Sequence, residues 1–166
     1  MRKSIMAKLE VNRIIGQVKK LYNNNWSGFD LHLLLNSIED NTANKKLPLF
    51  SNTIHQIANH ILATEFVVIQ RLQGVNYQLS LEEDWTPSDQ LVQVKWADTK
   101  AAILKSKDDL IRALEKKVDN DLDQPILKNF SSIYDTIHGH IQHSYYHLGQ
   151  ISTMFNAIQH LNTSIK

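Results

Sequence analysis

The sequence predicts an all-α fold, a bundle of four long helices, and three observations carry that reading. Glycine (5) and proline (3) are scarce for a chain of 166 residues, which disfavours a many-stranded β-fold with its frequent turns. Apolar residues recur at helical spacing through four long segments. Polar or proline-marked breaks separate those segments. Apolar residues at 42% and charged residues at 21% are the profile of a globular protein, and the length suits one domain over residues 1–166.

The first helix is expected over about 2–23, where Ile5, Leu9, Ile14, Val18 and Leu21 fall near one stripe. Asn23-Asn24-Asn25, a run of poor helix formers, ends it. Leu31 to Ile38 reads as a helical turn or two begun by Asp30 as N-cap, and Asn41 to Phe50 as a loop. The second long helix is expected to start at a Ser51 or Asn52 cap and to run to Gln73, with Gly74 as its left-handed C′ residue. Its stripe is Ile54, Ile57, Ala58, Ile61, Val68, Ile69 and Leu72. Residues 75–95 form a connection marked by Pro87 and Glu82-Glu83-Asp84. The third helix is expected over about 97–118, using Ala101, Leu104, Leu110, Ile111 and Leu114, and the fourth from about Phe130 to Leu161.

Connection lengths constrain the topology. A helix of about 22 residues is roughly 33 Å long. An extended chain spans about 3.3 Å per residue, so the 75–95 connection can cross that length and leave the second and third helices parallel. The break at 119–125 is too short for a crossover, so the third and fourth helices should be antiparallel.

Composition also excludes functions. The net charge is +1, and Lys105, Lys107, Lys116 and Lys117 alternate with Asp108, Asp109 and Glu115 as on a solvated helix face. Nucleic-acid binding needs clustered cations, which are missing. No apolar run reaches 18 residues, so no membrane span or membrane partner is expected. Arg2 and Lys3 are not followed by an apolar stretch, so no secretory signal is expected and the cytoplasm is the default location. Cysteine is absent, so a bound metal must use His, Asp, Glu or water.

The chemistry-bearing feature is the run from His138 to His147. His143 and His147 are four apart, about 40° of rotation and roughly 6 Å of rise, so one helix offers both imidazoles to one point. His140 joins the same stripe. The same spacing fits a polar helix face, and spacing does not separate the two readings. Two ligands also fall short of a catalytic zinc site, which usually takes three from the protein. His60 is the candidate third, among Ile57, Ile61 and Thr64 at core-facing spacing, although a lone histidine there also reads as a hydrogen-bonded core residue. His55, five residues earlier, points about 140° away and cannot easily share an ion with His60. The metalloprotease glutamate is missing between His143 and His147, as are a nucleophile elbow, a phosphate loop and a dinucleotide fingerprint.

The stretches "NNNWSGFDLHLLLNSI" (23–38), "NHILATEFVVIQRLQG" (59–74), "EEDWTP" (82–87) and "HIQHSYYHLGQI" (140–151) resemble the DinB/YfiT-like superfamily, with landmarks in the same order along nearly the whole chain. The most specific are His143 and His147 followed by Leu148-Gly149-Gln150-Ile151, then His60 ahead of an Arg-Leu-x-Gly ending at Gly74. The resemblance implies a four-helix bundle, up-down-down-up, with a long crossover between helices 2 and 3. It implies a divalent metal on His60, His143 and His147. Gln150, three after His147, and His140 are candidates to support the ligands from outside, and Glu65 and Asp135 are candidate carboxylates. Gly149 reads either as allowing close approach near His147 or as helix packing. Trp26, Trp85 and Trp96 read as core or rim aromatics, with Trp85 able to reach the bundle mouth.

Three neutral imidazoles leave a divalent ion with an open position. Zinc is the first expectation and nickel the second. Known activities in families similar to this one include transfer or isomerisation using low-molecular-weight thiols, so the leading expectation is a metal-dependent thiol S-transferase or related detoxification enzyme acting on a small molecule. The alternatives are a metal-dependent hydrolase and a non-catalytic metal- or small-ligand-binding stress protein. A homodimer through an apolar helix face is the base-rate expectation.

Overall fold

A computed structural model describes residues 8–23, 26 and 30–163. The expected start of the first helix before Lys8 lies outside these residues. Among them the chain forms α1 (Leu9–Tyr22), α2 (Leu31–Ser37), α3 (Asp40–Ala43), α4 (Ile54–Leu72), α5 (Leu81–Asp84), α6 (Ser88–Leu91), α7 (Trp96–Glu115) and α8 (Ile133–Thr163), with no strand. The all-α reading therefore holds. None of these helices is long and apolar enough to cross a membrane.

Several boundaries differ from expectation for local reasons. The cap of α4 is Thr53 rather than Ser51 or Asn52. Thr53 Oγ1 accepts from the Gln56 amide while Gln56 Oε1 accepts from the Thr53 amide, at 3.2 and 3.0 Å. Three residues after Ser51 and Asn52 stand Ile54 and His55, which cannot return such a bond. Gly74 does close α4 at φ +87°, with its amide on Arg71 O and that of Val75 on Gln70 O, the paired bonds of a Schellman end. The fourth long helix begins three residues later than expected. Asn129 takes a left-handed φ of 68°, and Ser132 then caps the helix by accepting from the Asp135 amide. Asn41 to Phe50 is not all loop, because α3 takes its first residues, and the 75–95 connection contains α5 and α6. On α7 Ile103 joins Leu110, Ile111 and Leu114 in the core, whereas Ala101 is exposed.

The long helices share one apolar core running from Val11 to Ile158. Both α1 and α4 lie against α7 and α8. His55 Nε2 meets Thr99 Oγ1 at 2.8 Å, which places the N-terminal ends of α4 and α7 side by side. Trp96 is buried and donates Nε1–H to Ile38 O at 2.9 Å, locking the start of α7 to the end of α2. Asp119 stands in for a missing local cap on α1 and accepts the Glu10 and Val11 amides at 3.1 and 3.0 Å. These backbone bonds hold its carboxyl below the usual range.

Buried polar groups on three helices meet at Glu65. Tyr22 donates its hydroxyl to Glu65 at 3.0 Å, and His140 Nε2 meets the same Glu65 oxygen at 3.1 Å. Glu65 is 1% exposed, so α1, α4 and α8 are tied through a carboxylate that no water reaches. Burial, then the Glu65 charge, pushes the Tyr22 hydroxyl pKa well up, so it stays a donor.

Candidate metal centre

The helix α8 carries His143 and His147 on one face, as their spacing requires, and α4 carries His60 opposite them. His60 Nε2 lies 3.0 Å from His143 Nε2, and His147 Nε2 lies 3.0 Å from the same atom. All three nitrogens fall within 4.8 Å of one another, an arrangement that can hold a metal ion. His60 and His147 are buried and His143 is half-buried.

The outward nitrogens are engaged. His60 Nδ1 is 2.9 Å from both the main-chain oxygen and the carboxylate Oδ1 of Asp84. His147 Nδ1 is 2.7 Å from Gln150 Oε1, and Gln150 is oriented by its Nε2–H donation to Tyr146 Oη at 3.0 Å. Both Nδ1 atoms face only acceptors, so each carries the proton and each Nε2 presents a lone pair. His143 Nε2 can donate at most one proton, so at least one of the two 3.0 Å contacts sets lone pair against lone pair. Three nitrogens bound to one ion at about 2.0–2.1 Å must converge in this manner, and a cation removes the repulsion. The residues present therefore fit a divalent metal.

Electrostatics favour the neutral donors that metal binding needs. Burial, followed by the neighbouring His147, His60 and His140, lowers the His143 pKa to about 4, against a weaker opposite pull from Asp84. Burial also lowers His147, partly offset by its Gln150 bond.

The crossover is fastened over this cluster. Thr86 receives two bonds from α4, Gln56 Nε2 to its carbonyl at 3.1 Å and Asn59 Nδ2 to its hydroxyl at 2.9 Å. Those bonds fix Asp84 and Trp85 just before it. The Trp85 indole stacks on the His60 ring at 4.0 Å and 11°, and its edge meets His147 at 6.0 Å. Trp85 thus reaches the site, Trp96 is core, and Trp26 is fully exposed, unlike the core or rim place expected for it.

The other sequence candidates sit elsewhere. His140 faces Glu65 rather than a histidine of the cluster. His55 is held by Thr99 and Asn44. Asp135 serves the start of α8. A Cβ on Gly149 would meet nothing within 4 Å, so close approach does not explain that glycine. Asp84 is the carboxylate that the sequence reading missed. It lies 24 residues from His60, at the end of α5 in the connection between α4 and α7, and no local spacing marks such a contact.

Two cavities flank the cluster. One of about 530 Å³ reaches His143 and Asp84 between Val67, Val68, Leu79 and Leu81. The other, of about 330 Å³, reaches His147 between Phe50, Ile57, Trp85 and Tyr146. A larger cavity of about 850 Å³ between α4 and α7 touches none of the three histidines, so the smaller two are where a ligand would meet them.

Neither a curated protein nor a solved structure matches the chain. A family match covers most of its length, from the segment before α2 to the turn of α8 beyond His147. With residues 27–151 matching the DinB superfamily, the chain belongs to that superfamily.

Proposed function

We propose that this protein is a metal-dependent enzyme that holds a divalent ion, zinc first and nickel second, on His60, His143 and His147. The observation that supports this reading most is the convergence of Nε2 lone pairs whose outer Nδ1 atoms are tied to Asp84 and Gln150. A divalent ion held by these three histidines would supply Lewis acidity to a small molecule bound beside them.

The chain's own residues perform the rest. Asp84 and Gln150 hold two imidazoles in the binding tautomer, Trp85 shields His60 from water, and the flanking cavities admit a small molecule. Among the described residues, Asp84 is the one carboxylate hydrogen-bonded to the cluster, and His60 already engages it. Hydrolysis calls for a group that shuttles protons, and among the described residues no free carboxylate stands beside the cluster to do so. A thiol is far more acidic than water by itself, with a pKa of about 8.5 against about 15.7, so it would rely less on such a group, which favours a thiol S-transferase of detoxification type over a hydrolase.

The test is turnover by the zinc- or nickel-loaded protein of a thiol with a broad electrophile such as monobromobimane, beside the His143→Ala variant. Conjugation that needs both metal and thiol supports the reading. Ester cleavage without thiol replaces it with hydrolysis, and metal binding without either reaction leaves a binding protein.

A further inference from the structure

Among the described residues Arg71 has no ion-pair partner. Its guanidinium lies over the Phe130 ring, 4.8 Å from the centroid, and its Nε is buried without a hydrogen-bond partner. A buried guanidinium N–H left unpaired is costly, and arginine is the side chain best shaped to grip a planar carboxylate. The Phe130 ring beneath the guanidinium restrains it without using its donors.

The same side chain lines the 530 Å³ cavity that reaches His143 and Asp84. Arg71 follows His60 by eleven positions on α4, a rise of roughly 16 Å. The guanidinium sits over Phe130, near the start of α8, so the cavity it lines spans the distance from that level to His143. The wall between them includes an apolar patch of Val67, Val68, Leu79 and Leu81, with polar residues such as Thr64 and Gln78 also lining the cavity.

We propose that Arg71 binds the carboxylate of a small molecule whose apolar middle fills this cavity and whose reacting end lies at His143. The proposal rests on the metal-dependent reading only for that reacting end. One unpaired positive charge matches one carboxylate. Asp84 shares the cavity and repels a second negative charge, which disfavours a phosphate dianion.

The test uses metal-free protein, so that it does not depend on the metal. Octanoate and the neutral octanamide are titrated into wild type, Arg71→Met and Arg71→Lys, followed by calorimetry and by the ¹⁵N resonance of the Arg71 Nε–H. Octanoate should move that resonance in wild type and bind about tenfold or more tightly than octanamide. The preference should vanish in Arg71→Met and survive in part in Arg71→Lys, whose retained charge also guards against loss of fold. An unmoved Nε–H, equal binding of the two probes by wild type, or an unchanged preference in Arg71→Met overturns the proposal. Tighter binding of octyl phosphate than of octanoate overturns the carboxylate assignment. A protein that passes these arms yet takes up no metal leaves the Arg71 subsite standing and removes the metal-dependent reading alone.

Discussion

His60 presents its Nδ1–H to Asp84 Oδ1 at 2.9 Å, and this bond turns its Nε2 lone pair toward His143, 3.0 Å away. The crossover therefore supports the histidine cluster as well as linking two helices. Asp84→Ala should weaken divalent-metal affinity by about 10- to 100-fold, as loss of an outer partner of a ligand histidine commonly does. Asp84→Asn keeps an acceptor and should lose less. Competition with a chelator measures both, and an unchanged affinity in Asp84→Ala would remove the role given to that carboxylate.

Gln150→Ala frees His147 Nδ1 in the same way, but it removes a neutral acceptor where Asp84→Ala removes a charged one, so its effect should be smaller than that of Asp84→Ala. Gln150→Glu restores an acceptor, and charge should bring affinity back to wild type or above. The same chelator competition reads this pair.

Glu65 is the structural counterpart of the site, not a part of it. Glu65→Ala leaves the Tyr22 hydroxyl and His140 without their shared acceptor in a dry core. Unfolding in urea should show a loss of about 3 kcal/mol or more, a magnitude typical of breaking a buried polar pair from one side. A loss under about 1 kcal/mol would mean that water or repacking replaces the network.

Acid should destabilise the metal-free protein before it reaches the carboxylate range. The folded-state pKa of His143, and those of His147 and His55, lie below the usual histidine value of about 6.5, each chiefly through burial. The unfolded chain then binds more protons than the folded one, so the stability present above about 6.5 is lost as pH falls toward the His143 value of about 4. Urea midpoints of the metal-free protein at about pH 7.5 and pH 5 check the sign. A midpoint that holds or rises at the lower pH contradicts the buried neutral imidazoles.

What could be read in the chain follows the range of the interactions concerned. Ile54, Ile57, Ile61 and Leu72 reveal α4 because helical periodicity is local, and Gly74 marks its end because a left-handed residue is a local need. His143 and His147 share a face by the same local geometry, whereas placing His60 opposite them needed the family resemblance. Asp84, Trp85 and Arg71 act across the fold, and their partners lie on other elements at separations that no periodicity encodes. The cap of α4 was readable but misread: Gln56 three residues after Thr53 was the signal.

The central claim is the metal on the three histidines, and elemental analysis of untagged, metal-supplemented protein tests it most directly. Wild type should carry about one equivalent of a divalent ion, and His60→Ala, His143→Ala and His147→Ala should each lose it while circular dichroism shows the helices intact. Wild type without metal, or metal kept in all three variants, would contradict the account.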